Sequence, residues 1–238
     1  MTQPTFVFIP GLLSDDRVWR PVAEKIEAEG AHFADVTGAD GITGMAQSVL
    51  DSVEGDLIVL GHSMGGRVAM EVARLAPKRV RGLVLANTGH GGLRDGEEET
   101  RRRKIELGHE DMDRLADEWL PPMVASERHD DDELMGSLRD MVLETGPEVH
   151  ERQIRALLER PDASDYLGDL DCPILLIVGD RDEWSPVAQH EEIAALAQDA
   201  ELQVIGGAGH FTPVERPNES AAVVEAWLER HLFRAAPG

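Results

Sequence analysis

The chain has 238 residues, enough for one medium-sized domain or a domain carrying a sizeable insertion. Hydrophobic residues make up 42% of it, which supplies a core, and the formal net charge of -23 excludes the basic surface that nucleic acids and anionic membranes require. Cys172 is the only cysteine, so an internal disulfide and a cysteine-rich zinc site are excluded. With no basic-then-apolar leader and no apolar run of spanning length, the expectation is a cytoplasmic protein without a membrane segment.

In chain order, Thr5 to Ile9 is a β-rich run closed by Pro10-Gly11 and reads as a buried strand. Arg17 to Glu29 puts Val18, Trp19, Val22, Ala23 and Ile26 on one helical face, with Asp15 or Asp16 available as a cap. His32 to Val36 is a weaker strand and Met45 to Val53 a helix. Leu57 to Leu60 is apolar without alternation, as expected of a strand covered on both faces. Gly65 to Leu75 reads as a helix stopped by Pro77, and Val80 to Ala86 as the next strand. Residues 93–165 then interrupt the pattern. They hold charged runs and no strand, while Leu115, Trp119, Met135, Leu138, Met141 and Val142 recur at helical spacing, which predicts several short helices. Alternation resumes with Ile174 to Val178 (strand), Val187 to Ala197 (helix), Glu201 to Ile205 (strand) and Ser220 to Leu232 (helix). The prediction is an α/β fold: a mostly parallel sheet of about six strands flanked by helices. The core is expected over 1–92 and 166–238, with a helical cap inserted over 93–165.

Gly61-His-Ser-Met-Gly65 lies between a predicted strand and a predicted helix, the context in which G-x-S-x-G forms a nucleophile elbow. A tight strand-to-helix turn lifts Ser63 clear of the sheet, and glycine at both flanks avoids a collision across the turn. A hydroxyl needs a base. His210 sits in the glycine-rich loop Ile205-Gly-Gly-Ala-Gly-His after the last strand, at the same sheet edge as Ser63. His32, His129, His150, His190 and His231 read as solvated or capping residues, and the His62 side chain is expected to turn away from Ser63. For the orienting acid, the loop Gly179-Asp-Arg-Asp-Glu-Trp-Ser offers Asp182 far enough past the strand to reach His210, while Asp180 suits the turn's own backbone. Oxyanion donors are expected from the backbone N–H groups of Met64 and Leu12, with Leu13 as the alternative. Leu13, His90, Trp119, Met123, Trp184 and Phe211 are candidate pocket residues. For the cap residues among them the competing reading is ordinary core, since helical spacing looks the same in both cases.

These motifs together resemble the α/β-hydrolase superfamily, and within it small capped enzymes such as enol-lactonases, carboxylesterases and pimeloyl-carrier-protein esterases. The similar pieces are Ile9-Pro-Gly-Leu-Leu, Gly61-His-Ser-Met-Gly-Gly, Gly179-Asp-Arg-Asp, Gly207-Ala-Gly-His-Phe and Glu215-Arg-Pro-Asn-Glu, which span most of the core and none of the cap. Two departures stand out: Pro10-Gly11 replaces the His-Gly of many members, and the antiparallel hairpin that usually precedes this strand has no counterpart, so a smaller sheet is expected. The resemblance implies a Ser63–His210–Asp182 triad forming an acyl-enzyme from an ester, lactone or thioester, with no metal and no organic cofactor. The same fold hosts cofactor-free lyases, perhydrolases and C–C hydrolases, and a ligand-binding module without turnover is the reading outside enzymes. The partner expected is a small acyl substrate. Arg101-Arg-Arg-Lys104 could also dock an acidic carrier protein or a CoA thioester, against the alternative of a solvated helix balanced by Glu97-Glu-Glu99.

Overall fold

The computed structural model describes residues 3–232. The core strands are β1 (Thr5–Ile9), β2 (His32–Phe33), β3 (Leu57–His62), β4 (Val80–Ala86), β5 (Ile174–Gly179) and β6 (Ala200–Ile205). They form one six-stranded sheet in the order β2-β1-β3-β4-β5-β6, and every neighbouring pair is parallel. Parallel pairing requires crossovers, and these are helical: α1 (Arg20–Lys25), α2 (Gly41–Ser52), α3 (Met64–Leu75) and α7 (Val187–Leu196). The chain closes with α8 (Thr212–Glu215) and α9 (Pro217–His231).

All six residues of β3 and of β5 are buried, the consequence of helices on both sides of the sheet. The pleat still sorts their side chains by parity. Phe8, Ile58, Leu60, Val84, Leu175 and Ile177 join Trp19 and Trp227 on one face, where the helices inserted after β4 also pack. Val7, Ile9, Leu57, Val59, Leu83, Leu85 and Leu176 point the other way, onto α2, α3 and α7. The predicted helix over 17–29 is shorter than its apolar spacing suggested. A 3-10 turn at Asp16–Val18, capped by Asp15, precedes α1, and Glu27 adopts φ 48, which ends the run.

Between β4 and β5 the chain forms α4 (Glu97–Glu110), α5 (Met112–Trp119) and α6 (Asp132–Leu158). The expected several helices are present: α6 is itself two helices meeting at Gly146, whose φ of 74 and ψ of 165 just before Pro147 break the helical path. None of the helices among the described residues is long and apolar enough to cross a membrane.

Candidate active site

The turn at Ser63 is built by close contact. Ser63 has φ 54 and ψ -116, a region that costs an L-residue about 1–3 kcal/mol and persists only where the surroundings enforce it. Two bonds hold it there: Ser63 N–H donates to the Ala86 carbonyl at 2.9 Å, and Thr88 Oγ1 donates to the Ser63 carbonyl at 2.6 Å. Both flanking glycines are required by space. A Cβ on Gly61 would lie 2.3 Å from the Gly65 carbonyl oxygen, and one on Gly65 would lie 2.3 Å from that of Ile9.

Three loops at the carboxyl edge of the sheet bring Ser63, His210 and Asp182 together. Ser63 Oγ is 2.8 Å from His210 Nε2. His210 Nδ1 is 3.0 Å and 3.1 Å from the two carboxylate oxygens of Asp182. Asp182 in turn accepts the N–H groups of Trp184 (2.9 Å) and Ser185 (2.8 Å) and a bond from Asn87 Nδ2 (2.8 Å). Burial alone would raise the Asp182 pKa, but His210 and these donors outweigh it and hold the carboxyl down to about 2. Asp182 is therefore an anion under all working conditions, with its lone pairs directed. Asn87 contributes through an unusual backbone, φ 50, and its amide also bonds the Gly209 carbonyl and Thr212 Oγ1. Nothing in the local sequence marked it.

The other histidines divide differently from expectation. His62 is buried, with Nε2 donating to the His210 carbonyl at 2.8 Å. Desolvation first, and then the neighbouring His210, pushes its pKa down to about 3, so it is neutral. His190 is not solvated: it is buried, and its Nε2 accepts the Thr88 N–H at 3.1 Å. That bond fixes the proton on Nδ1, which faces the Pro186 carbonyl at 3.2 Å, and desolvation holds the pKa at about 4. His150 is likewise buried, beneath α4, with a pKa near 4 for the same reason. Asp180 accepts the Gly207 N–H at 2.7 Å and so braces the neighbouring His210 loop instead of its own turn.

A cavity of about 470 Å³ opens over Ser63 and His210. Leu12, Met64, Trp119, Met123 and Trp184 line it. The backbone N–H groups of Leu12 and Met64 have no acceptor among the described residues. The other pocket candidates are corrected. Leu13 is fully buried with φ 54, and its N–H is taken by Gln153 Oε1 at 2.9 Å, so it can neither line the cavity nor serve an oxyanion. Phe211 is buried behind His210, edge-on to Trp119. His90 lies outside the cavity, facing Glu192 at 3.9 Å.

The cavity's far end is polar in a way the sequence reading missed. Arg67, Arg101 and Arg160 line it with Glu97. Arg160 grips Glu97 at 2.6 Å and 2.9 Å, and Arg101 bonds the same carboxylate at 2.6 Å. Glu97, which burial would raise, is held down to about 2 by these partners. Arg67 has no carboxylate within ion-pair distance among the described residues; its Nη1 donates to the Gly91 carbonyl at 2.8 Å. Burial, followed by the repulsion of Arg160 and Arg101, presses its pKa down to about 9. The available signal was position: Arg67 sits one helical turn after Ser63, on the same face of α3. Within the 101–104 run, Arg102 pairs with Glu98 and Arg103 with Glu99 along α4, as the solvated-helix reading expects of those two residues.

An all-parallel sheet, a strained serine between β3 and α3, and an imidazole and a carboxylate from the loops after β6 and β5 define the α/β-hydrolase fold with a helical insertion, a scaffold of esterase-type enzymes. Residues 6–223 match the model of the alpha/beta hydrolase family, and the chain belongs to that family. An esterase from Thermogutta terrifontis with bound malate superposes with a TM-score of 0.87 at 26% identity, covering 97% of this chain and 91% of that one. The 2-succinyl-6-hydroxy-2,4-cyclohexadiene-1-carboxylate synthase of Salmonella newport is 28% identical, covering 94% of this chain and 92% of its own length. The enol-lactonase of Burkholderia xenovorans LB400 shares the fold, with a TM-score of 0.84 at 20% identity over 96% of this chain and 92% of that one.

Proposed function

We propose that the protein is a serine hydrolase that cleaves a carboxylic ester, lactone or thioester bearing an anionic group. The observation that carries the reaction type is the continuous bonded line from Ser63 Oγ through His210 to Asp182, with spacings of 2.8 Å and 3.0 Å. Ser63 Oγ attacks the substrate carbonyl carbon while His210 Nε2 takes its proton. Asp182 holds the Nδ1–H tautomer and stabilises the imidazolium that forms. The oxyanion is received by the N–H groups of Leu12 and Met64, each donor being worth about 2.7–4 kcal/mol in the transition state. His210 returns the proton to the leaving oxygen or sulfur. Water, deprotonated by the same imidazole, then cleaves the acyl-enzyme.

The anionic group is argued from charge. Of the four arginines lining the cavity, Arg101 and Arg160 share Glu97, Arg94 is exposed, and Arg67 is left partly buried with a carbonyl partner only. A carboxylate on the substrate would supply the missing counter-charge with a charge-assisted bond. Malate in the Thermogutta esterase and the carboxylate named in the Salmonella relative are in keeping with this. The same relative, a synthase, favours one second reading: the Ser63–His210 pair acting as a base in a cofactor-free elimination.

The test is fluorophosphonate labelling together with turnover of 4-nitrophenyl hemisuccinate in ¹⁸O-labelled water. The wild type should be labelled at Ser63 and release succinate carrying ¹⁸O, and Ser63→Ala should do neither. Labelling without any ester turnover would favour the elimination reading. A Ser63→Ala protein that matched the wild type would overturn both.

A further inference from the structure

We infer that Glu215 is a positioning residue for His210, a buried carboxylate that fixes the base and ties it to the cap segment over the cavity. The inference rests on reading His210 as the base. Glu215 ends α8 and is 1% exposed. Its Oε1 accepts the N–H groups of Gly209 (3.0 Å) and Phe211 (3.1 Å), the residues on either side of His210. Its Oε2 accepts Gly209 again at 3.0 Å and, from the cap, Ala125 N–H at 2.9 Å. Among the described residues no cation pairs with the carboxylate. Backbone N–H groups solvate it and the charge of Arg128 helps from further off, but burial, the largest influence, raises its pKa despite them.

The backbone around His210 is held on every side. Its own N–H donates to the Met123 carbonyl at 2.7 Å, and its carbonyl accepts from His62 at 2.8 Å. The Gly209 carbonyl is held by Asn87 and Thr212. The loop lies so flat on the cap that a Cβ on Gly209 would come within 2.6 Å of the Ala125 nitrogen. Met123, which lines the cavity, accepts the His210 N–H, and Ala125 two residues on bonds Glu215, so one cap segment holds both the base's own backbone and the anion that braces its neighbours. Arg128 adds a second strap by bonding the Glu215 carbonyl.

Glutamine cannot replace this group. Whichever way its amide is turned, an NH₂ faces at least one backbone N–H donor, so either the Gly209/Phe211 side or the Ala125 side is lost. Glu215→Gln should therefore lower kcat while leaving KM little changed, on the order of 100-fold if the imidazole moves by about 1 Å. Fluorophosphonate labelling of Ser63 should slow in parallel. The third readout is independent of turnover: the downfield proton resonance of His210 Nδ1–H, bonded to Asp182, should shift or broaden. Should Glu215→Gln fail to fold, Glu215→Asp keeps the charge but reaches only one side, and should show the same changes in smaller measure. A wild type that is never labelled would remove the hydrolase reading, and the resonance would still judge Glu215. Either variant with a lowered melting temperature but an unshifted resonance and unchanged kcat would overturn the inference, since that is what a merely structural carboxylate gives.

Discussion

Replacing Arg67 by methionine should make the protein more stable and less able to use an anionic substrate. The Arg67 guanidinium is partly buried, and desolvation above all lowers its pKa from 12.5 to about 9 on folding. At about 1.36 kcal/mol for each pH unit, charging it in place costs about 5 kcal/mol. Because the group is protonated in both folded and unfolded chains at neutral pH, that cost is present in full there and is reduced only by water entering through the cavity mouth. Methionine keeps much of the aliphatic stem and removes the charge. The one bond lost is to the Gly91 carbonyl, which stays satisfied by Arg160 Nε at 3.1 Å. A gain of about 1–4 kcal/mol is expected, as when other poorly compensated buried charges are replaced by apolar residues. That corresponds to a melting temperature higher by about 2–4 °C for each kcal/mol in a chain of this size. On the substrate side, a hydrogen bond to a charged group is worth about 1.5–3 kcal/mol. Turnover of a hemisuccinate ester should therefore fall by roughly 10- to 150-fold in kcat/KM. A neutral isostere of the same length should be almost unaffected. The assay is a thermal melt with and without a dicarboxylate, beside kcat/KM for the charged and neutral esters. In the wild type the dicarboxylate should raise the melting temperature; in the variant it should not. A variant that is less stable and discriminates between the two esters as the wild type does would refute the reasoning.

Stability should fall as the solution is acidified, well before the carboxylates titrate. His150 and His190 drop from 6.5 to about 4 on folding and His62 to about 3, so below about pH 6.5 the unfolded chain binds protons that the folded one refuses. The stability they confer is complete above that pH and is lost on descent towards pH 4, up to about 3 kcal/mol for each of His150 and His190. Asp182 and Glu97, depressed to about 2, add their own loss only below about pH 4. Urea midpoints between about pH 7 and pH 5 measure the first effect, and a flat profile would contradict it. Gly65→Ala is expected to cost about 3 kcal/mol or more from overpacking, because its methyl would meet the Ile9 and Pro10 carbonyls, and to abolish labelling of Ser63 by displacing the Leu12 loop.

Much of this molecule is local, and what is local was readable. The parallel sheet follows from apolar runs alternating with amphipathic helices, because each strand must bury both faces and each helix one. Ser63, Asp182 and His210 were each marked by their own loop, and strand order carried all three to one edge. What the sequence could not determine depends on partners far along the chain. Leu13 looked like a pocket residue until Gln153, from α6, claimed its N–H. His190 and His150 looked like surface residues because a histidine's hydration is decided by what covers it, here the residues around Thr88 and the helix α4. The charge balance of the cavity depends on Arg67 from α3 meeting Arg160 and Glu97 from the insertion, and the Glu215 clamp on Ala125 reaching across from the cap. Sequence alone therefore determined the scaffold and pointed to the side chains proposed to react, since both obey short-range periodicity and turn chemistry. Tertiary structure decided which charges are paired and which donors are free, since desolvation and hydrogen bonding depend on neighbours that no local pattern names.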